Sequence, residues 1–351
     1  MAKKVLIVDD SALVRKQLTE IISSLDFEID VAKNGQEAVD KATSMQYDVI
    51  TMDINMPVMD GLEAVKHIMN EQPTAILMVS SLTTADATIT MDALDLGAID
   101  FIAKPGTMNV GKNENRDEIL ELVKSLSRIP KRRLARTMPK SHKRERAVDT
   151  KKSASTLDSK DIDKVILIGS STGGPGLIEQ ICSALPANYK HPVCIVQHMP
   201  EQFTAAFATR LDRKCSLNVQ ETSQNMELLP GNVYVARGGV HMHFAKKISG
   251  KIVVREDKDK GECFFQPSVN EMMKSSLSVF DAQKIIGVML TGIGDDGADA
   301  MVELKKAGSY TLGESEASAT VYGMPKEAYD RGGICKQLDF KDILKEIVTF
   351  K

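Results

Sequence analysis

Two adjacent serines stand among four glycines in the stretch LIGSSTGGPG, residues 167–176, which continues an apolar run. The pattern Gly-x-Ser-x-Gly at Gly169, Ser171 and Gly173 is typical of a sharp turn from a strand into a helix that presents a serine as a nucleophile. Because the pattern is centred on Ser171, it favours Ser171 over Ser170 as that nucleophile. Amide groups at the start of the following helix could stabilise the negative charge that develops on the substrate oxygen.

Phosphate binding is the alternative use for these glycines. A dinucleotide-binding turn needs the spacing G-x-G-x-x-G, and no register of Gly169, Gly173, Gly174 and Gly176 satisfies it. A P-loop ends in Gly-Lys-Ser/Thr, and this loop contains no lysine. Amides at a helix start could still bind an anion, so a nucleotide-binding α/β domain stays a rival hypothesis.

A serine nucleophile needs a base, and four histidines follow it: His191, His198, His241 and His243. His198 lies directly after the apolar run CIVQ, at the sheet edge where Ser171 is also expected. His191 begins the same run and therefore belongs to the opposite edge, while His241 and His243 have a less defined setting. The position at a strand end favours His198 as the general base.

A carboxylate must then orient the histidine. The stretch VMLTGIGDDGADAM is another apolar run that enters a glycine-rich loop, and it delivers Asp295 and Asp296. The chain order Ser, His, Asp differs from the Ser, Asp, His order of α/β-hydrolases. The residues alone leave the choice between the two aspartates open.

A second group of polar residues lies near the N-terminus. Residues 1–125 alternate short apolar runs with amphipathic stretches, which predicts a parallel sheet covered by helices on both faces. Ligands collect at the carboxyl ends of the strands in such a sheet. Five polar residues fall at these ends: Asp9, Asp10, Asp53, Ser80 and Lys104.

Three carboxylates crowded at one edge repel each other unless a hard cation such as Mg²⁺ neutralises them. Such a site can polarise an acyl phosphate, so that one carboxylate attacks phosphorus. Asp53 is the predicted nucleophile, Asp9 and Asp10 are predicted to hold the metal, and Lys104 can pair with the incoming charge.

The length of 351 residues predicts two domains, 1–125 and 161–351, joined by a charged linker over 126–160. Residues 130–160 carry eleven Lys or Arg against three Asp or Glu and almost no bulky apolar side chains, which is typical of a linker. A nucleic-acid-binding tail is the sharper alternative. The net charge of −3 for the whole chain argues against it.

Five scattered cysteines, odd in number and without a C-x-x-C pair, fit thiols in a reducing compartment. No apolar stretch is long enough to span a bilayer. The sequence therefore predicts a cytoplasmic protein with no membrane insertion and no nucleic-acid partner.

The N-terminal stretch resembles the receiver domain of two-component response regulators in the motifs VDDS, MDINMPVMDG, MVSS and AIDFIAKP. The resemblance implies a five-stranded flavodoxin-like fold and phosphorylation of Asp53 by a partner histidine kinase. It implies Mg²⁺ held by Asp10 and Asp53 with help from Asp9. It also implies switch residues that respond to the phosphoryl group: Ser80, Phe101 and Lys104.

The C-terminal stretch resembles the catalytic domain of the CheB family of chemotaxis methylesterases in the motifs IGSSTGGP, VQHMP, LPGNVYVA, QPSVN, GVMLTGIGDDGADAM and YGMPKEA. The resemblance implies a doubly wound, mostly parallel α/β domain. It assigns Ser171 as nucleophile, His198 as base and Asp296, which precedes a glycine, as the residue that orients the base. Backbone amides near Thr172 and Ile293 would form the oxyanion hole.

The same resemblance implies an activity and its partners. The expected activity is hydrolysis of glutamate γ-methyl esters on the cytoplasmic helices of chemoreceptors, in many members together with deamidation of receptor glutamines. A chemotaxis histidine kinase would be the phosphodonor, and the catalytic domain would need no cofactor. The alternative from a different class is a non-enzymatic response regulator whose C-terminal domain binds a partner.

Several positions depart from the family pattern. Ser170 stands where alanine is common, and Ile293 replaces a usual methionine. The segment FFQPSVN replaces one that commonly reads R-x-R-P-S-V-D, so that Gln266 and Asn270 have lost charges. Asn55 stands where glutamate is frequent. These changes put receptor recognition, deamidation and phosphoryl lifetime in question more than ester hydrolysis itself.

Overall fold

In the computed structural model, the chain divides into two units, residues 1–145 and 146–351. Most of the predicted linker, 126–160, lies outside the described residues, so its boundaries stay predictions. The described residues are 2–81, 83–105, 112–130, 134 and 162–350.

The first unit contains a five-stranded parallel sheet in the order β2-β1-β3-β4-β5. This is the flavodoxin-like order, with a crossover on either side of β1. The central strands are short apolar runs buried along their whole length, as expected where helices cover both faces. The strands are β1 (Lys3–Val8), β2 (Phe27–Ala32), β3 (Val49–Asp53), β4 (Ala75–Ser80) and β5 (Asp100–Ala103).

Helices follow the strands of this sheet. The first four begin after a polar residue whose side chain accepts an N–H of the first turn: Ser11, Asn34, Asp60 and Thr83. Such caps satisfy backbone donors that the helix itself leaves free, which fixes where each helix starts. The helices are α1 (Ala12–Ile22), α2 (Gly35–Ser44), α3 (Gly61–Glu71), α4 (Thr84–Asp95) and α5 (Lys112–Leu126).

The second unit contains a seven-stranded sheet in the order β14-β13-β12-β6-β7-β9-β8, in which every described pair is parallel. A separate antiparallel hairpin is formed by β10 and β11. The strands are β6 (Val165–Ser170), β7 (Val193–Gln197), β8 (Asn218–Glu221), β9 (Asn232–Val235), β10 (His241–Lys246), β11 (Ile252–Asp257), β12 (Ile285–Met289), β13 (Tyr310–Glu314) and β14 (Lys336–Leu338).

Six helices are described in this unit: α6 (Gly174–Ala184), α7 (Glu201–Lys214), α8 (Val269–Ser276), α9 (Ala298–Ala307), α10 (Met324–Asp330) and α11 (Phe340–Thr349). Strands β12, β6 and β7 are neighbours at the centre of the sheet and are fully buried. The predicted mostly parallel α/β fold is confirmed. Among the helices of the described ranges, none combines the length and the apolar character needed to cross a membrane.

Candidate active site and candidate phosphorylation site

The serine, histidine and aspartate predicted for the second unit lie at the carboxyl ends of three adjacent parallel strands. Ser171 directly follows β6, His198 directly follows β7, and Asp296 lies in the loop between β12 and α9. The register pairs Ser170 with Gln197, so the next residue of each strand, Ser171 or His198, leaves the sheet at the same level. The topology therefore gathers residues that are far apart in the sequence at one edge.

The imidazole of His198 is joined to the carboxylate of Asp296. The Nε2 atom of His198 lies 2.8 Å from Oδ2 of Asp296, and only 4% of the histidine side chain is exposed. The other ring nitrogen, Nδ1, is buried and has no hydrogen-bond partner among the described residues. The Ser171 hydroxyl also forms no hydrogen bond within the described ranges. A catalytic proton would pass from Oγ of Ser171 to Nδ1 of His198, and neither atom is engaged in another hydrogen bond among the described residues.

Helix α8 binds the carboxylate of Asp296 at its N-terminus. The N–H groups of Val269 and Asn270 donate over 2.6 and 3.1 Å, and the Ser268 hydroxyl donates over 2.7 Å. Burial alone would raise the pKa of Asp296, but the hydrogen bonds from His198, Ser268 and Val269 together outweigh it and lower the pKa below its usual value. Asp296 is thus held as an anion beside the histidine.

The turn after β6 has the backbone geometry expected of the predicted strand-to-helix turn. Gly173 has φ = 76°, in the left-handed region that favours glycine, and it directly precedes α6. The chain around Gly292 passes so close that an added Cβ would lie 2.8 Å from Cβ of Ser171. Among the described residues, none accepts the N–H groups of Thr172 and Ile293, so their predicted role in binding an anionic oxygen does not compete with another backbone bond.

A side-chain pair that the sequence analysis did not assign lies directly beneath these residues. The Ser170 hydroxyl donates to Oε1 of Gln197 over 2.8 Å. The amide nitrogen of Gln197 then donates to the carbonyl oxygens of Ser171 and His198 over 2.9 and 3.1 Å. The Ser170 hydroxyl, which departs from the family pattern, is therefore buried and already donates its proton to Gln197. The only sequence signal for this bridge was that the two polar residues directly precede the predicted serine and histidine.

The capping role of Ser268 was also missed, although its signal is readable. Ser268 and Glu271 have the spacing S-x-x-E that marks the start of a helix, and Ser268 accepts the N–H of Glu271. The departure at Asn270 has a structural use, because its side-chain oxygen accepts the N–H of Ala300 near the start of α9. His241 lies outside the site proper: its Nδ1 accepts the N–H of Ser268 over 3.1 Å.

The first unit brings its predicted acidic residues together. Asp9 follows β1, Asp53 ends β3, and Asp10 stands exposed beside them. Ligand atoms of the three carboxylates all lie within 4.8 Å of one another. Nζ of Lys104, directly after β5, lies 3.0 Å from Asp9 and 2.8 Å from Asp53. Three acids around one lysine leave an excess of negative charge at this edge.

Burial raises the pKa of Asp53 to about 6, and the neighbouring charge of Asp9 adds to this, against the opposing effect of Lys104. Crowded, desolvated carboxylate oxygens of this kind fit a hard divalent cation. The positive charge of such a cation would lower the pKa of Asp53 toward its usual value.

The remaining predicted residues of the first unit lie near this edge. Ser80 ends β4, and its buried hydroxyl has no hydrogen-bond partner in the part of the chain that the structure describes. Phe101 is buried in β5 opposite Met78 of β4. Asn55, at the position where glutamate is frequent, donates over 3.0 Å to the buried carboxylate of Asp86 in the first turn of α4.

Fold and site geometry define a class: a flavodoxin-like sheet with an acidic edge, followed by a parallel α/β domain with a serine, a histidine and an aspartate at one edge. Comparison with known proteins agrees in each part. The family described as response regulator receiver domain matches residues 5–114, and the family described as CheB methylesterase matches residues 166–347.

Two relatives span nearly the whole chain. A protein of Carboxydothermus hydrogenoformans named protein-glutamate methylesterase/protein-glutamine glutaminase 2 is 45% identical, covering 98% of each chain. A protein of Caldanaerobacter subterraneus subsp. tengcongensis with the same name, unnumbered, is 44% identical over 94% of this chain and 91% of its own. The crystal structure of the Thermotoga maritima CheB methylesterase catalytic domain matches with a TM-score of 0.51 and 33% identity, covering 54% of this chain and 98% of that one.

The chain belongs to the CheB methylesterase family. The predicted family, fold class and enzyme class are confirmed, and so is the predicted function as a phosphorylation-regulated chemotaxis methylesterase. The alternative of a non-enzymatic response regulator is not favoured by these matches. The individual roles of the site residues stay predictions.

Proposed function

We propose that Ser171, His198 and Asp296 hydrolyse glutamate γ-methyl esters on the cytoplasmic helices of chemoreceptors. The observation that carries the proposal is the pairing of His198 with Asp296 through one ring nitrogen. This pairing leaves Nδ1 as the only nitrogen that can act as a base, next to a strand end that presents an uncommitted serine hydroxyl.

In the first half of the reaction, Oγ of Ser171 bonds to the side-chain carbonyl carbon of the substrate. The hydroxyl proton passes to Nδ1 of His198, and the carbonyl π electrons move to the oxygen. Asp296 stabilises the imidazolium that results, since its carboxylate is kept ionised by the N-terminus of α8. The N–H groups of Thr172 and Ile293 bind the oxyanion.

In the second half, the tetrahedral intermediate expels the methoxy group, which takes the proton from His198 and leaves as methanol. Water then attacks the acyl-enzyme, with His198 again accepting a proton and returning it to Oγ of Ser171. The products are a glutamate side chain and the free enzyme. The names of the relatives include glutaminase, and the same attack on a glutamine amide would release ammonia.

We further propose that a chemotaxis histidine kinase phosphorylates Asp53 and so regulates this activity. Asp9, Asp10 and Asp53 would hold Mg²⁺, which supplies charge neutralisation when bound. The Asp53 carboxylate attacks phosphorus, and Lys104 pairs with the phosphoryl oxygens. The Ser80 hydroxyl, which has no hydrogen-bond partner among the described residues, and Phe101 on the adjacent strand β5 would respond to the new group.

The proposed location is the cytoplasm. All five cysteines are free thiols, which suits a reducing compartment that also holds the kinase and the receptor helices.

The experiment that tests the proposal is methanol release from a methylated chemoreceptor fragment by the full chain, with and without a small-molecule phosphodonor. Wild type is expected to release methanol faster with the phosphodonor, and Asp53→Ala to release it without that stimulation. Ser171→Ala is expected to release none while Asp53 still takes up phosphate. Methanol release by Ser171→Ala at the wild-type rate would overturn the assignment.

A further inference from the structure

The ring of Phe265 covers one face of the His198 imidazole. The two ring centroids are 3.9 Å apart and the planes are inclined by only 15°. Phe265 belongs to the irregular segment between β11 and α8 and is partly exposed, whereas the histidine side chain is almost completely enclosed. Phe264 packs edge-on against Phe265, with centroids 4.8 Å apart and an angle of 79°. The imidazole is therefore held between a phenyl face and its bond to Asp296.

The stacking geometry distinguishes the two protonation states of the imidazole. Two neutral aromatic rings prefer offset or edge-to-face contact with centroids roughly 4.5–7 Å apart, because facing π-clouds repel. A cation within about 6 Å of a phenyl centroid is instead attracted to the negative face of the ring. A nearly parallel stack at 3.9 Å is thus a poor arrangement for neutral His198 and a good one for its protonated form.

We propose that Phe265 is a positioning residue that fixes the plane of His198 and stabilises the imidazolium formed during the esterase reaction. This inference rests on the proposed function of Ser171 and His198. When Oγ of Ser171 bonds to the ester carbon, its proton moves to Nδ1 of His198, and the imidazolium then lies between the phenyl face and the Asp296 carboxylate. The stack gains strength as the transition state is approached, so it acts on kcat rather than on substrate binding.

The test compares Phe265→Leu with Phe265→Tyr in the full chain. Leucine keeps apolar cover over the imidazole but has no π face, whereas tyrosine keeps the face. Phe264→Leu is the matched comparison, because the same change one residue earlier leaves the stack on His198 in place. Steady-state methanol release from a methylated receptor fragment is measured across pH, and thermal unfolding of each variant confirms that it is folded.

Phe265→Leu is expected to lower kcat about fivefold with little change in KM, the scale of a partly desolvated cation–π contact. Its acid limb of kcat/KM is expected to move to lower pH, because the cationic form of the base has lost its support. Phe265→Tyr is expected to restore both, and Phe264→Leu to lower kcat less than Phe265→Leu does.

Three results would overturn the proposal: an unchanged kcat in Phe265→Leu, an acid limb that moves to higher pH, or a tyrosine variant as slow as the leucine variant. The last two would mean that the ring only excludes water or fills space. If wild type itself releases no methanol, the proposed function fails instead, and the two failures are thereby distinguished.

Discussion

At the scale of single residues, buried hydrogen bonds determine what a change costs. The Ser170 hydroxyl is fully buried and donates to Gln197, whose amide in turn holds the carbonyl oxygens of Ser171 and His198. A hydroxyl that stands where alanine is common in the family is therefore part of the support for the site rather than a second nucleophile.

Ser170→Ala is expected to lower the free energy of unfolding by about 1–2 kcal/mol, because it leaves the buried amide oxygen of Gln197 without a donor. Urea unfolding of the two proteins measures the difference. Ser278→Ala, at an exposed hydroxyl that donates to the carbonyl oxygen of Ser275 in its own turn, is the control and is expected to change the free energy of unfolding little. Equal stability of Ser170→Ala and wild type would contradict the role given to this bridge.

Burial raises the pKa of Asp53 to about 6, and this shift predicts how the stability of the fold depends on pH. Because the pKa of Asp53 is higher in the folded chain than in the unfolded chain, folding favours the protonated carboxyl group. The free energy of unfolding therefore falls as pH rises through about 6. Asp53→Asn removes a charge that is costly to bury. In buffer with a chelator, the free energy of unfolding of this variant is expected to exceed that of the wild type by about 2–3 kcal/mol at pH 8. At pH 4 the two free energies of unfolding are expected to be equal. A difference that stays constant between those pH values would contradict the stated cause.

At the scale of elements, helix α8 has a use beyond packing. Its first turn and its capping residue supply three donors to the carboxylate of Asp296, so the helix dipole and the hydrogen bonds act on the same charge. The position of this helix therefore decides whether Asp296 stays ionised beside His198.

Ser268→Ala removes both the cap of α8 and the hydroxyl that donates to Asp296. We expect kcat for methanol release to fall about tenfold, which corresponds to an activation free energy higher by about 1.4 kcal/mol. We expect the free energy of unfolding to fall by about 1 kcal/mol, because the helix loses its cap. Kinetics and urea unfolding measure the two losses separately. If stability falls while kcat does not, the hydroxyl only caps the helix.

At the scale of the whole molecule, the strand-end logic made much of the site predictable from the sequence. In the second sheet, apolar runs lead to Ser171, to His198 and to the Asp295–Asp296 pair. In the first sheet, they lead to Asp9 and Asp53. Because the strands of each sheet are parallel, each group had to meet at one edge of its own sheet. The choice of Asp296 over Asp295 came from the family resemblance. In the structure, Asp296 bonds to His198, whereas Asp295 is paired with Arg331.

What the sequence could not provide depends on contacts between distant segments. The stacking of Phe265 on His198 joins residues 67 positions apart. The hydrogen bonds at the start of α8 join Asp296 to residues about 28 positions away in the sequence. No rule of sequence spacing predicts either contact. The hydrogen bond of Asn270 to the start of α9 is of the same kind. Such contacts arise only once α8 and the segment before it lie beside His198 and Asp296.

If Ser171 and His198 act as one catalytic unit, removing either side chain has the same effect as removing both, and comparing the single variants with the double variant measures this. The rate of methanol release from a methylated receptor fragment is measured for Ser171→Ala, His198→Gln and the two changes combined. Residues that share one proton transfer lose their effect together, so each variant, single or double, is expected to fall about 10⁴-fold or more, to the same residual rate. Losses that multiply in the double variant, or a single variant that keeps the wild-type rate, would contradict the claim.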